Sequence, residues 1–207
     1  MRRELQCLIT VTDYFALLNE PRRPWLDADL LKTRFHALSA EVHPDRVHQS
    51  SAGDKHAATQ SYTELNAAYN CLREPRSRIR HLLELELGAK PSDLTNVPDD
   101  LMDLFFAIGK VFREVDALLA EKAWATSPLL QVQLFERGQD WVEKLGGLRE
   151  KISQRRDALL EELKTVDAAW TSATPKPTGR LLEIWRLLSF YERWLGQIQE
   201  RVVQLSF

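Results

Sequence analysis

The chain has 207 residues, 44% of them apolar and 28% charged, with only eight glycines. That is a globular composition, long enough for one large domain or two small ones, and it excludes disordered and collagen-like chains and argues against an all-β one. A net charge of −2 leaves no basic field to hold a nucleic-acid backbone, and two cysteines cannot make a disulfide framework or a zinc site.

No apolar run approaches the roughly 20 residues of a membrane span. Glu4, Gln6, Thr10 and Asp13 interrupt the opening segment, so no signal peptide and no membrane contact are expected. Cys7 and Cys71 are expected to be reduced thiols of a cytoplasmic protein.

A 3.6-residue period runs through almost the whole chain. A short helix is expected around Tyr14–Asn19. Residues 28–42 then place Leu31, Phe35, Leu38 and Val42 on one stripe, with Asp27 as N-cap and Pro44 as the stop. Residues 54–73 repeat the pattern through Ala58, Tyr62, Leu65, Tyr69 and Leu72. Two amphipathic helices joined by a modest polar loop predict an antiparallel hairpin. Another helix is expected to follow Pro75 to about Leu87. The stretch 88–100, with Gly88, Pro91 and Pro98, has no apolar period and is the best domain boundary.

Three longer helices follow. Residues 99–123 carry a stripe of Leu101, Phe105, Ile108, Phe112, Val115 and Leu119. Residues 128–166 carry Trp141, Leu145, Leu148, Ile152, Leu159 and Leu163, with a kink expected at Gly146-Gly147. After a loop at 171–179, residues 180–205 carry Leu181, Ile184, Leu188, Tyr191, Leu195, Ile198 and Val202. The expected fold class is all-α. A domain of antiparallel hairpin and short helices (10–88) precedes a linker (89–98) and a C-terminal three-helix bundle (99–207).

The sharpest local feature is His43-Pro44-Asp45 between the hairpin helices. On the tripeptide alone, a helix stop followed by a turn is reading enough. In context, Lys32, His36, Ser39 and His43 line the face opposite the core stripe and lead into a corner that presents an imidazole and a carboxylate. Asp45 beside a proline-fixed backbone suits a charge-assisted pair with a partner arginine.

Here the sequence resembles the J-domain family, through DYFALL at 13–18, LLKTRFHALSAEVHPDR at 30–46 and LNAAYNCLREPRSR at 65–78. Nearly the full layout is similar to the HscB family of iron–sulfur cluster assembly: EPRSRIRHLLEL follows the hairpin, and a helical bundle takes the place of a Gly/Phe-rich linker. The resemblance implies a non-enzymatic cochaperone. Lys32, His36, His43, Pro44, Asp45 and Arg46 would contact a DnaK/HscA-type chaperone and stimulate its ATPase. The bundle would carry an IscU-type scaffold protein. Residues 28–46 balance Lys32, Arg34 and Arg46 against Asp29, Glu41 and Asp45, a less basic helix than J-domains usually have.

Arg113-Glu114 resembles the arginine–glutamate pair of the family's scaffold-binding helix. In that register Met102, Phe106 and Arg113 face the client; a second register uses Leu101, Met102 and Phe105. Phe190 resembles the aromatic of the family's last helix. With Trp194 it is expected to join Phe106 and Met102 in one exposed apolar patch. Arg73, Arg76, Arg78 and Arg80 form a basic cluster, either docking support or a solvated face.

No phosphate-cradling glycine loop and no His/Cys/carboxylate ligand spacing occurs, so no cofactor and no metal are expected. A J-protein with another client is the nearest alternative. A small all-α enzyme with a coincidental tripeptide is more remote. A monomer or weak dimer is expected.

Overall fold

A computed structural model of the chain describes residues 11–47, 51–92 and 97–206. Among the described residues there are helices and no strand.

The first compact unit takes the chain up to Pro91 together with Leu163–Leu182. It opens with α1 (Tyr14–Leu17), whose first turn exists because Asp13 Oδ1 accepts the N–H groups of Phe15 and Ala16 at 3.0 and 3.2 Å. α2 (Ala28–Glu41) is capped by Asp27 in the same way. It stops two residues before Pro44, which heads a 3-10 turn, Pro44–Val47. α3 (Ala52–Arg73) starts from a reciprocal capping box between Ser51 and Asp54. α4 (Pro75–Leu87) has its proline in the first turn and ends on Gly88, whose φ of 71° is the left-handed conformation glycine adopts without a Cβ penalty.

Phe15, Leu18, Leu31, Leu72, Ile79 and Leu82 are fully buried in this unit. Phe35 stacks on Tyr69, ring centroids 4.3 Å apart, which joins the two hairpin helices. Ser39, expected on the outer face, is buried on the core side. At 100° per residue it lies next to Phe35 and Leu38, so the solvent-facing row is narrower than the sequence pattern implies.

The second unit comprises Ser92–Glu162 and Glu183–Phe207. It contains α5 (Met102–Trp124) and the greater part of α6 (Pro128–Ser172) and α7 (Thr178–Ser206). α6 is one continuous helix through Gly146-Gly147, and the loop after it is shorter than the expected 171–179.

Side-chain contacts tie this bundle together. Arg201 forks onto Asp116 at 2.9 and 2.8 Å while its guanidinium lies 4.1 Å over the Phe112 ring. Arg137 pairs with Glu121 at 2.7 Å. Lys122 Nζ donates to the Leu205 carbonyl at 3.0 Å.

The buried stripe of α5 is Ile108, Phe112, Val115 and Leu118, continued from Leu101 in the 3-10 turn Asp99–Leu101 before it. Phe105 is exposed, and Leu118 takes the place expected for Leu119. The contact line therefore drifts around the helix, as a spacing shorter than 3.6 residues requires.

Candidate functional site

The His43-Pro44-Asp45 turn is built by the end of α2 and braced by α3. Pro44 fixes its own φ, so the chain leaves α2 in one direction. His43 Nδ1 accepts the Asp45 backbone N–H at 3.3 Å, and the ring meets Tyr62 of α3 edge-on at 5.3 Å. Asp45 Oδ2 also lies 3.5 Å from the same nitrogen. His43 Nδ1 thus holds the turn by accepting that backbone N–H. The Asp45 side chain is 90% exposed and can meet a cation from outside.

Lys32 and His36 are exposed on α2, on the side of the helix that leads to this turn. Arg34 is engaged at the other end of the unit, where it pairs with Glu20 at 3.1 Å. The Arg46 side chain lies outside the described residues, as do His48 and Cys7.

The arginine cluster divides. Arg78 is buried and donates to the carbonyls of Pro24 at 2.7 Å and Leu72 at 2.6 Å. Burial lowers its pKa to about 10, which still leaves it charged at neutral pH. It is a structural strut between the α1–α2 loop and the end of α3. No apolar period marks such a residue in a sequence, because its partners are backbone carbonyls that any residue offers.

Cys71 Sγ approaches the Ser77 carbonyl at 3.6 Å, and burial pushes the thiol up to about 11. The thiol stays protonated and is no nucleophile. Among the described residues no group of three or more His, Cys, Asp or Glu side chains could hold a metal ion. None of the described helices is long and apolar enough to cross a membrane.

The candidate client face lies on α5. Phe106 is 62% exposed and meets Phe105, also exposed, edge-on at 5.7 Å. Met102 is half-buried beside them, and Arg113 and Glu114 are exposed further along. Met102, Phe106 and Arg113 fall within about 40° of one another around the helix.

Phe190 and Trp194 do not join this face, contrary to the expectation of one shared patch. They are 5% and 4% exposed, 5.6 Å apart in the core. The reason is that α7 is buried over most of its circumference, from Trp185 on one side to Phe190 on the other. A helix whose buried arc is this wide has neighbours on more than one side, and its second apolar stripe is covered. Leu101, a member of the alternative register, is also buried. At the N-terminal end of α5 the exposed apolar side chains are therefore Phe105 and Phe106, one residue from each register.

No family model matches the chain. Among curated proteins, the co-chaperone protein HscB homolog of Chromobacterium violaceum is 36% identical over 111 residues, 51% of this chain and 63% of that protein. The chain spans about two fifths of the HscB homologs of Azoarcus and Bordetella avium. The HscB homolog of Bordetella petrii is 31% identical over 140 residues, 60% of this chain and 80% of that relative. Among solved structures, the chaperone HscB from Vibrio cholerae shares the fold with a TM-score of 0.64 at 20% identity, over 94% of this chain and 99% of that one. The hairpin with its His-Pro-Asp turn, the all-helical bundle that follows it in the chain and the extent of the Bordetella petrii match agree, and the chain belongs to the HscB co-chaperone family.

Proposed function

We propose that this protein is a J-domain cochaperone that stimulates the ATPase of a DnaK/HscA-type chaperone and delivers an IscU-type iron–sulfur scaffold protein to it. The observation that carries the reading is the His43-Pro44-Asp45 turn, held between α2 and Tyr62 with its carboxylate turned to solvent.

Residues 10–88 act as the J-domain, 89–98 as linker and 99–207 as the client-binding part. Lys32 and His36 supply a basic approach and Asp45 a charge-assisted contact to a partner arginine. Arg46 extends that contact. Phe106 anchors the scaffold, with Met102 and Phe105 beside it and Arg113 and Glu114 at the rim. Apolar anchors with a charged rim are how protein interfaces concentrate their energy. The protein needs no cofactor and performs no chemistry of its own. The cytoplasm is the compartment in which this partnership is expected.

The test is single-turnover ATP hydrolysis by a DnaK/HscA-type chaperone with and without the protein. His43→Gln abolishes stimulation while helicity and melting temperature stay unchanged, because the turn contributes little to the core. A variant that stimulates like wild type refutes the reading.

A further inference from the structure

A cleft of about 430 Å³ opens in the first compact unit. Its walls include Tyr14 of α1, Cys71 near the end of α3, Arg80, His81 and Glu84 of α4, and Lys90 beyond it. Cys71 lies about 28 Å along α3 from Ala52, at 1.5 Å per residue, so the cleft is at the far end of the hairpin from the His43-Pro44-Asp45 turn. Its volume is that of a small-molecule site, about 300–1,000 Å³.

One wall group is a buried donor without a partner. His81 is 5% exposed, and it lines the cleft. Its Nε2 accepts the Tyr14 N–H at 3.1 Å, so the neutral ring carries its proton on Nδ1. Burial lowers the pKa of this imidazole and keeps it neutral at pH 7. Among the described residues nothing accepts from Nδ1. A buried N–H that the protein leaves unpaired calls for an acceptor from outside the chain.

The charges around it do not cancel. Lys90 Nζ is matched by Glu84 Oε1 at 4.0 Å. The Cys71 thiol, protonated, adds no charge. Arg80 is exposed at the edge of the cleft and has no ion-pair or hydrogen-bond partner among the described residues. One unmatched guanidinium fork thus stands beside one unmatched N–H. We propose that this cleft binds a small aromatic monocarboxylate, whose carboxylate accepts from the Arg80 guanidinium and the His81 Nδ1–H. A guanidinium takes a carboxylate through two parallel hydrogen bonds, and a single surplus charge suits a monoanion better than a phosphate. The Tyr14 and His81 rings, with centroids 4.6 Å apart, give an aromatic wall for a flat body to lie against.

Calorimetric titration of the full chain with benzoate tests this, alongside benzamide, which keeps the ring but lacks the charge, and inorganic phosphate. The expected dissociation constant for benzoate is about 1–10 mM, with benzamide and phosphate at least about tenfold weaker. Arg80→Gln weakens benzoate more than about tenfold. Arg76→Gln, one turn earlier on α4 and outside the cleft, leaves it unchanged. Both positions are exposed, and unchanged thermal melting confirms that each variant is folded. In protein labelled with nitrogen-15 histidine, the His81 Nδ1 resonance moves as benzoate is added. Absence of benzoate binding up to about 50 mM overturns the proposal and leaves the His81 N–H to water. So does benzamide or phosphate binding as tight as benzoate, benzoate binding that Arg80→Gln leaves intact, or a His81 resonance that stays still. No variant here touches the His43 turn, so the outcome is independent of the proposed function.

Discussion

Arg23 and Asp167 lie 144 residues apart in sequence and form a forked ion pair within one compact unit. Arg23 Nε reaches Asp167 Oδ1 at 2.9 Å, and its Nη2 engages Oδ2. The same Oδ1 accepts the Trp25 N–H at 3.1 Å, and the Trp170 indole donates to the Arg22 carbonyl at 3.1 Å. The loop between α1 and α2 is therefore fastened to the C-terminal end of α6. Its hydrogen bond with Asp167 raises the Arg23 pKa.

The two ends of that pair are unequal. The Asp167 side chain is 4% exposed, that of Arg23 40%. Arg23→Ala strands a buried carboxylate and is expected to cost about 3 kcal/mol. Asp167→Ala leaves an arginine that can turn to water, and is expected to cost about 1–2 kcal/mol. Urea unfolding of both variants checks the order; equal losses would mean that Asp167 is solvated in the native protein.

A fragment that ends at Gly88 loses Asp167, Trp170 and Lys176, which pairs with Glu86 at 2.7 Å. Its own capped helices and its core of Phe15, Leu31, Leu72, Ile79 and Leu82 remain. It is expected to stay helical but to lose roughly 2 kcal/mol, a fall of about 8–16 °C in melting temperature for a domain of this size. Circular dichroism melts decide: a fragment as stable as the full chain would show that the 163–182 segment contributes nothing.

His81 gives the first unit a dependence on pH. Its Nε2 accepts the Tyr14 N–H at 3.1 Å, and its ring stacks against Phe15. Burial lowers its pKa from the ordinary 6.5, and Arg22 adds to this, against the opposing charges of Asp13 and Glu84. The unfolded chain therefore binds the proton first. Stability from this residue is complete above pH 6.5 and is lost as pH falls below it towards the lower native value. His81→Gln, which keeps an acceptor, should flatten that part of the stability–pH curve. An unchanged slope in the variant would assign the effect elsewhere.

Two phenylalanines that look alike in sequence should behave oppositely. Phe190→Ala removes a buried ring and is expected to cost about 3–5 kcal/mol of stability. Phe106→Ala removes an exposed one and should change stability by less than about 0.5 kcal/mol. On the proposed function, the same Phe106→Ala weakens scaffold binding by more than about 2 kcal/mol. Melting and scaffold titration of both variants separate the roles; a large stability loss in Phe106→Ala would place that ring in the core.

The helices, the Asp27 cap and the turn between α2 and α3 were legible in the chain because their causes are local. Asp27 caps the residues next to it, Pro44 constrains the residue before it, and the Leu31–Phe35 spacing is read within one element. The resemblance at 13–18, 30–46 and 65–78 likewise rests on short contiguous strings. What escaped was which apolar side chains face water. Phe106, Phe190 and Trp194 all lie off an in-phase stripe, and a stripe says nothing about how many neighbours a helix has. α7 is enclosed on most sides and buries its extra aromatics; α5 is not, and leaves Phe105 and Phe106 outside. Arg78 and Asp167 were invisible for a related reason. Each is buried because of partners brought to it from elsewhere in the chain, the Pro24 carbonyl for one and Arg23 for the other. Local periodicity records a residue's own helix, whereas burial and ion pairing depend on what folding places opposite it.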